Sequence, residues 1–260
     1  MLRPRIIPCL LVKNGGLVKT VNFANPKYVG DPINAVKIFN EKEVDELIVL
    51  DIDATAQNRE PDYGMIKNLA TECRMPLCYG GGVKSVEQVE RIISLGVEKV
   101  AINSAAVSNP EIVAQAAEVV GSQSIVVVMD VKKSGRGSKY EVWTHNASKP
   151  TGRAPVDFAK EVEALGAGEV VINSIDRDGV MKGYNMDLAN EIREAISLPI
   201  TLLGGAGSLK DIAGLIHTFG IIGAAAGSFF VFKGIYRAVL ISYPSRAEKD
   251  ALVTQDHHVN

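Results

Sequence analysis

The residues with the most evident chemical potential stand in Val170–Gly179, VVINSIDRDG. An apolar run ends in Asn173-Ser174, and two carboxylates, Asp176 and Asp178, then flank Arg177 ahead of Gly179. That pattern reads as a buried strand whose carboxyl end opens into a polar loop. Two further runs follow, ITLLGGAGS at Ile200–Ser208 and IIGAAAGS at Ile221–Ser228, each ending in glycine or a small residue before a helix start. Free backbone N–H groups and a helix dipole both favour an anion. Consecutive strands that deliver glycines and helix N-termini to one place therefore make a phosphate grip. The alternative is that these glycines only close tight strand-to-helix turns, and several in succession favour the grip.

Such residues need a scaffold that gathers strand ends. Strand-like runs recur at Arg5–Val12, Glu46–Ile52, Leu77–Gly80, Lys99–Asn103, Ile125–Asp130, Glu169–Ser174, Ile200–Leu203 and Ile222–Ala226. Helical patterns lie between them, as at Asp31–Glu41, Ser85–Leu95 and Pro155–Leu165, with Ser85 and Ser208 as expected N-caps. Alternating units of this kind predict either a parallel barrel or a doubly wound sheet. An internal repeat decides between them. Glu46–Asp53 (ELIVLDID) recurs as Glu169–Asp176 (EVVINSID), and Gly81-Gly82 recurs at the same spacing as Gly204-Gly205. Ala101–Ser104 (AINS) recurs as Ala225–Ser228 (AAGS) one residue further on. A four-strand half used twice is what a (β/α)8 TIM barrel with internal two-fold symmetry requires. It predicts two opposed phosphate grips, one from Gly81, Gly82, Asn103 and Ser104, the other from Asp178, Gly179, Gly204, Gly205, Gly227 and Ser228. Two grips at one mouth imply a ligand phosphorylated at both ends.

Composition narrows the field. The 260 residues are 47% hydrophobic with a net charge of -2, enough for one large core and against a nucleic-acid binder held by a general basic surface. No apolar run approaches the roughly 20 residues of a membrane span. Cys9, Cys73 and Cys78 have neither disulfide nor zinc spacing, which suits buried thiols in a cytoplasmic protein. No metal or cofactor is expected. His145 and His217 have no evident partner, and His257 and His258 fall in a polar tail, so no histidine is assigned to catalysis. The expected organisation is one barrel over 1–244 and a polar C-terminal tail over 245–260. Lys13–Gly30 reads as a polar, glycine-bearing loop of the kind that serves as a lid. Lys132–Thr151 reads as a polar excursion or hairpin carrying the single Trp143, and Arg237–Pro244 as an added strand or short helix.

With these stretches in view, the chain resembles the cyclase subunit of imidazole glycerol phosphate synthase, the HisF family, over roughly residues 1–240. The resemblance rests on RIIPCL, GDP at Gly30–Pro32, DELIVLDI, YGGGV, EKVAINSAAV, GSQSIVVVMD, NSIDRDG and GGAG. It implies a barrel that takes ammonia from a HisH-like glutaminase at its N-terminal face and passes it to a doubly phosphorylated ribonucleotide at its C-terminal face. It also implies an ammonia gate of four charged residues at the N-terminal ends of alternate strands, matched here by Arg5, Glu46, Lys99 and Glu169. Glu98 stands where the family has an Asp facing the glutaminase, Lys19 matches a substrate-holding lysine, and Asp51 and Asn173 are expected to face the ligand.

The family works with an aspartate at the end of the first strand and another at the end of the fifth. Asp130 matches the second, but Leu11 stands at the first, and leucine can neither give nor take a proton. An intact gate with half an acid–base pair resembles a paralogous branch that works with a HisH-like glutaminase and a separate amidotransferase to form acetamidino sugars for lipopolysaccharide. CLLVKNGGLVKT, PKYVGDPINA and VFKGIYRAVLISYP carry that finer resemblance. The alternatives are a true cyclase of histidine biosynthesis and a non-catalytic scaffold for a phosphorylated ligand.

Overall fold

The computed structural model describes residues 3–135 and 139–254. His257 and His258 lie outside the described residues. Fourteen strands, β1 to β14 in chain order, are described. They are β1 Arg5–Lys13, β2 Gly16–Val21, β3 Ala24–Gly30, β4 Leu47–Asp51, β5 Leu77–Gly80, β6 Lys99–Ile102 and β7 Ile125–Lys133, followed by β8 Tyr140–Thr144, β9 Lys149–Pro150, β10 Glu169–Ser174, β11 Ile200–Leu203, β12 Gly223–Ala226, β13 Phe232–Lys233 and β14 Ala238–Val239. Eight of them run parallel in the order β1-β4-β5-β6-β7-β10-β11-β12, and β12 pairs with β1 to close a (β/α)8 barrel. The two predicted halves are β1, β4, β5, β6 and β7, β10, β11, β12.

Each barrel strand is buried on both faces, which is why it reads as a continuous apolar run. One face packs under the helices. Ile6, Leu10, Leu47, Val49, Val127, Val170 and Ile172 join Phe39, Leu69, Ile92 and Phe158 there in one large core. The other face fills the barrel with Ile7, Cys9, Ile48, Cys78, Ala101, Val126, Val128, Val171, Leu203 and Ala225. Fully burying a side chain of Leu or Ile size contributes about 1.5–3 kcal/mol, so both layers matter to stability. The helices start where the sequence says they should. Asp31 caps Pro32–Glu41 through Asn34 N, and Ser85 and Ser208 cap Val86–Ser94 and Leu209–Phe219.

Three stretches differ from, or sharpen, expectation. Lys13–Gly30 is not an unstructured loop: β2 and β3 form an antiparallel hairpin that extends from β1. Lys132–Thr151 is the hairpin alternative, with β8 paired to β7 and β9 to β8. Within the expected tail, Arg246–Thr254 is a helix that rests on the barrel through Leu252 and through Lys249 Nζ at 2.7 Å from Asp45. Arg237–Pro244 supplies β14, and Tyr243 then donates its hydroxyl to Ile6 O at 2.8 Å, fastening this end to β1.

Candidate functional site

Alternate residues of the barrel strands point inward, and some strands carry a polar residue at or next to the start (Arg5, Glu46, Lys99, Glu169) or near the carboxyl end (Asp51, Asp130, Asn173). At the bottom, Arg5, Glu46, Lys99 and Glu169 meet. Arg5 donates to Glu46 and, at 2.7 Å, to Glu169; Lys99 Nζ lies 2.9 Å from both carboxylates. The ring is closed, each cation bridging both anions. Its members come from the first, second, fourth and sixth barrel strands, not from alternate strands. Thr201 of the seventh strand joins it, donating at 2.5 Å to Glu169 and accepting from Arg5 at 3.4 Å. Sequence reasoning missed this hydroxyl, which sits as the one polar residue in ITLL. Opposite it, a Cβ on Gly223 would stand 1.7 Å from Thr201 Oγ1, so the glycine makes room for the threonine.

Burial would discharge these groups, but they discharge one another's cost instead. Desolvation pulls the Arg5 and Lys99 pKa values down, and the Glu169 and Glu46 carboxylates outweigh it, leaving both raised. Desolvation pushes Glu169 up, and Arg5, Lys99 and Thr201 bring it below the ordinary glutamate value. Glu98 is exposed on the same face, its carboxylate accepting from Leu77 N at 2.8 Å.

At the opposite end, the strand termini and both hairpins enclose a mouth of about 1130 Å³, counted out to solvent. All the expected ligand-side residues line it: Lys19, Asp51, Gly81, Gly82, Asn103, Ser104, Asp130, Asn173, Asp178, Gly179, Gly204, Gly205, Gly227 and Ser228, joined by Leu11. Asp130 lies at the centre. Asn173 Nδ2 donates to one carboxylate oxygen at 2.8 Å and Asn103 Nδ2 to the other at 3.1 Å. Burial raises its pKa to about 7, against the pull of Asn173 and with a smaller push from Asp178. An aspartic acid so placed can give or take a proton near neutrality.

Two carboxylates in the mouth are already engaged. Asp51 accepts from Asp53 N and Ala54 N at 3.1 Å each and faces Arg59 at 3.3 Å, holding the turn after β4. Asp178 departs from the anion grip expected of it. Its Oδ2 accepts from Thr20 Oγ1 at 2.6 Å and Phe23 N at 3.1 Å, so it latches the β2–β3 hairpin over the mouth. A negative side chain committed to such donors does not hold a phosphate. Lys19 is buried, donates at 2.6 Å to Cys9 O, and sits 2.8 Å from where a Cβ of Gly227 would be. Desolvation lowers its pKa. Gly205 has φ 110°, and a Cβ there would stand 2.1 Å from Gly183 O, so only glycine fills the position. The helices Ser104–Ser108 and Ser228–Val231 begin at opposite walls, offering first-turn N–H groups that no helix satisfies internally.

The structure adds one residue that sequence reasoning set aside. His145, just past β8, lines the mouth with Asn146. His217 is away from the mouth, its Nε2 lying 3.0 Å from Leu252 O. Cys9 is buried under the mouth and its thiol is pushed up to about 12, which makes it inert.

The description "Histidine biosynthesis protein" belongs to the family whose pattern matches residues 5–236. A Leptospira interrogans protein named "Putative imidazole glycerol phosphate synthase subunit HisF" is 55% identical over 252 residues, 97% of this chain and 99% of its own length. The chain belongs to the HisF family. Two more HisF-type relatives are similar over nearly their whole lengths. A subunit named hisF3 from Vibrio vulnificus is 57% identical over 96% of both chains. One named hisF2 from Pseudomonas aeruginosa is 52% identical over 94% of this chain and 97% of its own. In this member Asp130 and Leu11 both line the mouth, and the charged ring lies at the opposite end of the barrel.

Proposed function

We propose that this HisF-family barrel is the ammonia-conducting subunit of a glutamine-dependent amidotransferase system. A HisH-like glutaminase docks on the face that carries Glu98 and the charged ring. Ammonia enters past Arg5, Glu46, Lys99 and Glu169, moves along the apolar interior and reaches the mouth beside Asp130. Gly81, Gly82, Asn103 and Ser104 hold one phosphate of a ligand there, and Gly179, Gly204, Gly205, Gly227 and Ser228, with Lys19, hold the other. The ammonia serves a sugar-modifying, acetamidino-forming step in lipopolysaccharide synthesis, carried out with a separate amidotransferase in the cytoplasm. The observation that carries this reading is the pairing of a closed charge ring with Leu11 at the wall of the mouth.

A second reading, cyclase activity in histidine biosynthesis, is favoured by the relatives' names. One experiment separates them. The purified chain and a Leu11→Asp variant are given ammonium salt and the bis-phosphorylated ribonucleotide of the HisF reaction, which bypasses any glutaminase. We expect no turnover by the natural chain. The variant, regaining paired acid–base groups, gains activity by roughly 100-fold or more over background. Turnover by the natural chain would return it to histidine biosynthesis.

A further inference from the structure

The two halves of the mouth are matched in backbone but not in side-chain charge. The half built on Gly204, Gly205, Gly227 and Ser228 has the Lys19 ammonium beside Gly227. In the half built on Gly81, Gly82, Asn103 and Ser104, the nearby cations are engaged: Arg59 with Asp51, and Lys84 with Asn58. His145 occupies that corner. Its backbone N–H donates at 3.4 Å to Ser104 Oγ, which ties it to the first residue of helix Ser104–Ser108. Its ring Nδ1 lies 3.0 Å from Thr144 Oγ1, and Nε2 has no protein partner among the described residues. His145, Asn146 and Ala147 have φ of 53°, 54° and 59°, three successive left-handed residues without a glycine. Backbone held in that region by its surroundings is a recurrent mark of ligand-holding segments.

We infer that His145 is the side-chain donor of the first phosphate grip, the counterpart of Lys19 in the second. This rests on the two-grip reading above and adds a residue to it. Nε2 offers N–H to a phosphate oxygen of the ligand while Nδ1 stays on Thr144. The other ionisable groups lining the mouth are Cys9, Lys19, Asp51, Asp130 and Asp178, while Lys132 on the same hairpin stacks 5.1 Å from the Trp143 ring. A ligand with one phosphate at each end therefore meets a lysine at one end and a histidine at the other.

The test is titration calorimetry of the intact chain with the bis-phosphorylated ribonucleotide, at one fixed pH, for the natural chain, His145→Ala, His145→Gln and Lys19→Ala. Loss of the Nε2 donor to a phosphate in His145→Ala should weaken binding about tenfold. His145→Gln, which keeps a neutral N–H, should recover part of that affinity. Nitrogen NMR of the natural chain should show the Nε2 signal moving on ligand addition while Nδ1 moves little. Binding by the natural chain with His145→Ala unchanged, and Lys19→Ala weakened, overturns the role of His145 alone. Absence of binding by every protein overturns the grips and this inference together.

Discussion

Asp130 is held by two amides in the mouth and keeps its proton up to about pH 7, whereas an unfolded aspartate loses it near 4. The folded state therefore binds that proton more tightly than the unfolded one. As pH rises from about 4 to about 7, this residue subtracts stability, by up to about 1.4 kcal/mol per pH unit. Urea unfolding of Asp130→Asn beside the natural chain should show the variant gaining relative stability across that window and no further gain above it. A constant difference would mean that Asp130 ionises normally. At the residue scale the HisF resemblance singled out Asp130, which it matches in IVVVMD to the family's second aspartate. It could not announce that Asp51 and Asp178 are spent on Arg59 and on the hairpin, because those partners are brought by the fold. The clue to His145 was weak: an Asn beside it in a polar stretch, where left-handed backbone is tolerated.

Among the elements, the eight barrel strands were legible because burial on both faces leaves an uninterrupted apolar run, and the repeated half decided for a closed barrel over a doubly wound sheet. The β2–β3 hairpin was not. Most of β3 is exposed, so ANPKYVG shows no periodicity, and pairing with β2 alone makes it a strand. The helix Arg246–Thr254 buries chiefly Leu252, which leaves no apolar stripe to read. Its signal was a capping box: Ser245 N donates to Glu248 at 2.7 Å and Glu248 N to Ser245 Oγ at 3.3 Å. The charged ring depends on a strand start that carries no charge, since Gly223 must leave space for Thr201. Gly223→Ala should cost about 1–3 kcal/mol by overpacking, and a second change, Thr201→Ala, should recover part of it despite losing a hydrogen bond to Glu169. Thermal unfolding of the two single variants and the double variant measures this. Additive losses would show that the two residues do not share the site.

On the scale of the whole molecule, the barrel has two chemically different ends joined by an apolar interior. The N-terminal end is a neutralised ring of two cations and two anions with a hydroxyl. The C-terminal end is a polar mouth roofed by two hairpins, with Asp130 held by two amides and Leu11 at its wall. Such a body suits delivery of a small neutral molecule more than paired acid–base chemistry on its own ligand. The direct measurement is glutamine hydrolysis by a HisH-type glutaminase of the same genome, assayed alone, with this chain, and with Glu169→Gln. The account predicts that the natural chain raises the rate severalfold through a complex that Glu169→Gln weakens. No change in hydrolysis, with both proteins folded and mixed in excess, would contradict it.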